Sequence, residues 1–311
     1  MDDQLPYRIR ADRYTFGEES EIDPYSEVVV ACVEGNLSPV DAAEKITTIL
    51  ADQASQSKAD IDLHQKNQPY VVNTDLVAAI IGSASSSFAP SSPAHERLLL
   101  LLRSFPSVRS RQVPNPNLDG NLEIRPALKD FGHLIDTRPH MILWENLDKL
   151  HLVENLGVLA EIGVEKCTSE QQQRWRNLSF FFARLTTQGI VDLSHFSALF
   201  MLLPEMQIKS TTSGWSGFLA GQTLAAAQWI VPENHGVWVW RACQRTERLA
   251  AEERPPRRKW NLEYWELWRS RFRDVVEREE DERIHPVVRE EAKKALKVMI
   301  ALERGDTNKE Q

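Results

Sequence analysis

The stretch RKWNLEYWELWRSRFRD, Arg258 to Asp274, decides how the chain is read. It holds three of the nine tryptophans, a tyrosine, a phenylalanine and four arginines. At about 100° per residue, Trp260, Tyr264, Trp268, Phe272 and Val275 fall on one side of a helix, with Trp265 and Leu267 at the margins. Glu266, Arg273 and Glu277 fall opposite, on a solvated face. This stripe predicts a core helix. A nucleic-acid platform would instead set its aromatics on an exposed basic surface. Arg271 projects into the apolar arc, so it is expected to stack on Trp268 or to pair with a carboxylate from another helix. If the stretch were a recognition surface, Trp268 and Arg271, together with Trp144, would be the ligand-binding candidates.

The same grammar of caps and stops runs outward from this helix. Asp23 and Pro24 start one helix and Gly35 ends it; Ser38, Pro39 and Asp41 start the next. A short helix is expected in TDLVAAIIGSA, and another after Ser92 and Pro93 in AHERLLLLLRSF. Ser169 and Gln172 form a capping box for a helix that carries Trp175, Leu178, Phe182 and Leu185 on one face and stops at Gly189. Asp192 is expected to open a helix with Phe196, Leu199, Phe200 and Leu203 on one side, weakened at Pro204. GWSGFLAGQTLAAAQWIVP predicts an Ala-rich helix open to close approach, and GVWVWRACQRTERLAAEE a helix or a strand merging into one. The last helix is expected from Pro286 to Gly305. The expectation is an all-α fold, an irregular bundle or array of about nine to eleven helices with at most a short hairpin. Residues 21–305 are read as one domain, with an irregular arm over 1–20, a long loop over about 106–140 and a tail over 306–311.

Three segments, the W-x3-YW-x2-W-x3-F pattern from Trp260 to Phe272, RWRNLSFFFARL and LAAAQWI, resemble a fungal family of all-helical proteins of unknown function, often encoded near secondary-metabolite genes. The resemblance implies an all-α fold and a fungal source, hints at metabolism, and supplies no catalytic residues.

Composition excludes several classes. A chain of 311 residues can bury roughly three quarters of its unfolded surface, so it needs no disulfide staples. Its three cysteines, Cys32, Cys167 and Cys243, form no CxxC pair and are expected as buried thiols. The first residues carry no apolar core of a signal peptide, and the densest apolar run, RLLLLLRSF, is far too short to span a bilayer. A net charge of −8 argues against nucleic acid as a partner. These features lead to a cytoplasmic expectation. RPPRRK, Arg254 to Lys259, offers a nuclear import signal as the exception, although a solvated linker before a helix accounts for it equally well.

Chemical motifs are sparse. There is no Gly-rich phosphate loop. HERLL at His95 lacks the second histidine of a zinc protease, GWSG at Gly214 lacks the end of a nucleophile elbow, and EREEDER interleaves arginines with its acids. No metal site and no cofactor are expected. The polar cluster GHLIDTRPH brings His133, Asp136, Arg138 and His140 into the long loop beside Trp144. A His–Asp pair can do acid–base work, and an arginine can hold an anionic oxygen, so these four are the catalytic candidates. Turn chemistry with exposed histidines explains them as well. Isolated His195 and His235 are expected as hydrogen-bonded or surface residues. The leading reading is a non-catalytic interaction or accessory protein that holds a protein partner. The alternative is a binder of a hydrophobic small molecule, or a cofactor-free cyclase- or isomerase-like enzyme, with neither nucleic acid nor membrane as partner.

Overall fold

Prolines open four of the described helices and left-handed glycines close three, at Pro24, Pro39, Pro93 and Pro286 and at Gly35, Gly189 and Gly305. The computed structural model describes residues 24–56, 74–105, 111–114, 121–124, 170–194, 197–203, 215–232, 234–250, 260–278 and 284–305. Among these residues there are nine α-helices, one 3-10 helix and one two-stranded hairpin, an all-α architecture. The chain divides into two compact units, Met1–Ile142 and Leu143–Gln311.

In the first unit, α1 (Pro24–Glu34), α2 (Pro39–Gln56), α3 (Thr74–Ser86) and α4 (Pro93–Ser104) pack together. Tyr25, Val29, Cys32 and Val33 recur at helical spacing on α1 and are all buried. Gly35, at φ 84°, reverses the chain, so that the Asn36 and Leu37 amides donate to the Ala31 carbonyl. The Ser38 hydroxyl donates to Asp41 at 2.6 Å and accepts from the Asp41 amide, starting α2 as its sequence predicts. Ser92 accepts from the Ala94 amide at the start of α4. The hairpin pairs β1 (Arg111–Pro114) with antiparallel β2 (Asn121–Ile124), in the register Arg111 to Ile124, and lies beside α2.

The second unit is centred on α6 (Trp215–Ala227), which packs against α5 (Glu170–Thr187), a 3-10 helix (Ala198–Leu202) and α9 (Pro286–Arg304). Residues 220–230 are buried without interruption. A helix apolar all round belongs in a core, and here Ala220 and Ala225 to Ala227 keep its radius small enough for neighbours on several sides. Ser179 of α5 donates to the Ala225 carbonyl at 2.7 Å and accepts from Trp229 Nε1 at 3.0 Å, a relay that ties α5 to the end of α6. α7 (His235–Ala250) and α8 (Leu262–Glu277) complete the unit, with α8 laid along α9.

The helix expected after Asp192 is a correction. Asp192 accepts from the Ser194 amide, Ser194 is in 3-10 conformation and Ser197 is not helical, so the next described turn is the separate 3-10 helix Ala198–Leu202, capped by Ser197. Leu203 is already extended, at ψ 145°, because the following Pro204 disfavours helical geometry at the residue before it. Phe196 and the capping box at Ser169 and Gln172 lie outside what is described of backbone or side chain, as do the N-terminal arm, most of the loop over 106–140 and the tail.

Candidate functional site

Asn261 caps α8 by accepting from the Tyr264 amide at 2.7 Å, and this cap sets the phase of the aromatic stripe. Trp265, Trp268, Phe272 and Val275 face inward, at most 3 % exposed. The expected stripe is therefore rotated by part of a turn. Tyr264, predicted buried, sits at the rim, and Trp265, placed at the margin, is in the core. Trp260 precedes the cap and is not helical, yet it is buried in the same cluster.

Trp260 is the hub. Its ring meets Trp229, Trp238 and Trp268 edge-on, with centroids 5.5–5.8 Å apart, and it meets Phe200 at 6.0 Å. Edge-to-face packing suits the ring quadrupoles and leaves no ligand-sized gap between these rings. The indole N–H groups of Trp260 and Trp268 have no oxygen or nitrogen partner among the described residues. Around them the edge-on rings offer π faces, which are weak acceptors.

The dipeptide spacing of Trp238 and Trp240 explains how α7 serves two neighbours. Residues two apart on a helix are about 200° apart, so a strand-like pattern sends the two rings to different sides. Trp238 meets Trp260, and Trp240 meets Trp265 at 4.8 Å. Gly236 makes the approach possible. A Cβ there would stand 2.6 Å from the Ile230 carbonyl oxygen and 3.1 Å from Val298.

Trp265 and Arg269, one turn apart on α8, converge on one acceptor. Trp265 Nε1 donates to Glu303 Oε1 at 2.8 Å, and Arg269 forms an ion pair with Glu303 Oε2. Arg271 pairs with Asp274 of its own helix at 3.3 Å. The Glu303 carboxylate, delivered by the neighbouring helix α9, meets Arg269. Beside this junction, Val237, Trp240, Arg241 and Gln244 of α7, the last residues of α9 from Leu302 to Arg304, and its cap Gly305 line an open groove of about 340 Å³.

The buried histidines serve as braces. His95 at the start of α4 donates from Nε2 to the Phe88 carbonyl at 3.0 Å, and His235 at the start of α7 donates from Nδ1 to the Gln228 carbonyl at 2.7 Å. Both reach back seven residues across a turn between helices. Pro90 and Pro232 in those turns are the only signal in the sequence, and it is faint. In the first unit, Arg97 of α4 donates to the Val33 carbonyl at 2.5 Å and covers the end of α1. Burial pushes the Cys32 thiol up to about 11, and the Arg97 guanidinium opposes it.

Of the site residues expected from sequence, His133, Asp136, Arg138, His140 and Trp144 lie outside the described residues, as do His195, Cys167 and the Arg254–Lys259 run. Trp268 and Arg271 are described: the ring is fully buried, and the guanidinium is half-buried at the helix surface. Among the described residues no group of three or more His, Cys, Asp or Glu could hold a metal ion, and no helix is long and apolar enough to cross a membrane.

No curated protein and no solved structure matches the chain. Residues 78–272, which contain α4 through most of α8, match the protein family of unknown function DUF3632. That match takes in more than half of the sequence and includes the tryptophan hub, the histidine braces and the Trp265 and Arg269 ends of the Glu303 junction, so the chain belongs to the DUF3632 family.

Proposed function

We propose that the protein is a non-catalytic helical interaction or accessory protein of the cytoplasm. The observation that carries this reading is the use of buried and half-buried polar groups. His95 and His235 each brace a turn, Arg97 covers a helix end, and Glu303 clamps α8 to α9. Each is committed to holding one helix to another. A general acid or base must instead be free to face a substrate. The aromatic load, which would favour a pocket for an apolar metabolite, supports the interaction reading too, because its central rings pack on one another.

The test pairs two measurements on the full chain. Cross-linking mass spectrometry at native expression level is expected to find a defined protein partner in stoichiometric amount. A thermal-shift screen against apolar metabolites is expected to leave the melting temperature unchanged. A ligand at a hundredfold its Kd stabilises by about 2.7 kcal/mol, which such a screen detects readily. Stabilisation by a metabolite with no stoichiometric partner would replace this reading with the alternative, a small-molecule binder or cofactor-free enzyme of fungal secondary metabolism.

A further inference from the structure

The groove between α7 and the end of α9 brings Trp240, Arg241 and Arg304 together. Its floor is the half-buried Trp240 ring, held by a tilted contact with the Trp265 ring, centroids 4.8 Å apart at 48°. Its one acid, Glu303, is already neutralised by the Arg269 ion pair and the Trp265 indole. Its two cations are not. Arg241 and Arg304 are exposed and have neither a hydrogen bond nor an ion pair among the described residues. Two guanidinium groups without a partner among the described residues therefore flank an indole held by its neighbour, on a chain whose net charge is −8. Tryptophan and arginine are the residues most enriched where interfaces carry their binding energy. A guanidinium fork matches a carboxylate in a bidentate geometry that an ammonium cannot offer.

We infer that this groove docks an acidic peptide segment of a partner protein, with Arg241 and Arg304 each taking a carboxylate and an apolar side chain lying on Trp240 and Val237. This rests on the interaction reading above and specifies its site and the chemistry of the partner. The rigid floor favours the inference, since a ring already fixed by its neighbours loses little entropy on binding. The overall acidity of the chain makes the basic groove the place where an acidic partner is attracted instead of repelled.

The probe is a short fluorescein-labelled peptide of glutamates around a single leucine, titrated by fluorescence polarisation against the full chain. The same peptide with glutamine for every glutamate is the control. The acidic peptide is expected to bind at least about tenfold more tightly than the control, and to weaken with added salt. The double variant Arg241→Gln, Arg304→Gln, both at exposed positions, is expected to lose about tenfold in affinity at an unchanged melting temperature. Equal binding of the two peptides overturns the inference, as does wild-type affinity in the double variant. Preference for a single-stranded oligonucleotide at the same arginines overturns it. Self-association that the double variant abolishes does so as well, since a second copy would then fill the groove. A cellular partner that binds the double variant as well as the wild type overturns the groove and leaves the interaction reading standing. Absence of any partner, with stabilisation by a metabolite, removes the reading beneath it.

Discussion

Trp268 is fully enclosed, with Trp260, Tyr264 and Phe200 packed around its ring. Cutting a buried aromatic to alanine costs about 3–5 kcal/mol, a large share of the roughly 5–15 that a domain possesses. Trp268→Ala is expected to unfold the second unit or to move its denaturant midpoint far down, read by circular dichroism in urea. Arg273→Ala, on the exposed face of the same helix, is expected to stay within about 0.5 kcal/mol. Glu303 gives a finer comparison because it serves two donors. Glu303→Gln keeps an acceptor for the Trp265 indole and loses only the charge, whereas Glu303→Ala leaves both the indole and Arg269 without it. The alanine variant is expected to cost about 1–3 kcal/mol and the glutamine variant clearly less. Equal losses in thermal melts of the two would mean that the ion pair dominates and the indole bond contributes little.

Among the helices, junctions matter more than propensity. The turns before α4 and α7 are each closed by a histidine that reaches back to a carbonyl near the end of the preceding helix. With the imidazole removed, Phe88 and Gln228 would each keep a buried acceptor with less to satisfy it. His95→Ala and His235→Ala are each expected to cost about 1–3 kcal/mol. Native-state hydrogen exchange is expected to show the loss first at α3 and α4 for His95, and at α6 and α7 for His235. Uniform loss across both units in either variant would show that the braces are not local.

For the whole molecule, the buried thiol of Cys32 links stability to pH. Its folded value, about 11, lies above the ordinary 9.0, because burial disfavours the thiolate more than Arg97 favours it. The folded state therefore holds this proton more tightly than the unfolded state does. The contribution is fully present below pH 9 and is lost as pH rises from 9 through 11. The expected result is a falling urea midpoint over that window and a flatter profile in Cys32→Ala. Alkylation at pH 8, followed at the Cys32 peptide by mass spectrometry, is expected to proceed only as fast as the first unit opens. Rapid alkylation of the native chain would show that the thiol is accessible in the folded state.

The sequence by itself determined the fold class and most helix ends. Ser38, Ser92, Gly35, Gly189 and Gly305 act within a few residues of themselves, so their effect needs no knowledge of the rest of the chain. The aromatic stretch was legible as a core helix for the same reason: its period is local. Only the tertiary structure decided which of its rings went deepest and which arginine meets the carboxylate of α9. A helix wheel leaves a margin of about one residue, and both the exchange of Tyr264 for Trp265 and the pairing of Arg269 depend on where α9 lies and brings Glu303. The candidate groove was not legible at all. Trp240 and Arg304 are distant along the chain, and nothing in either neighbourhood marks the other. They meet because Gly236 lets the start of α7 press against Val298 and Leu302, a contact that exists only once the helices have packed.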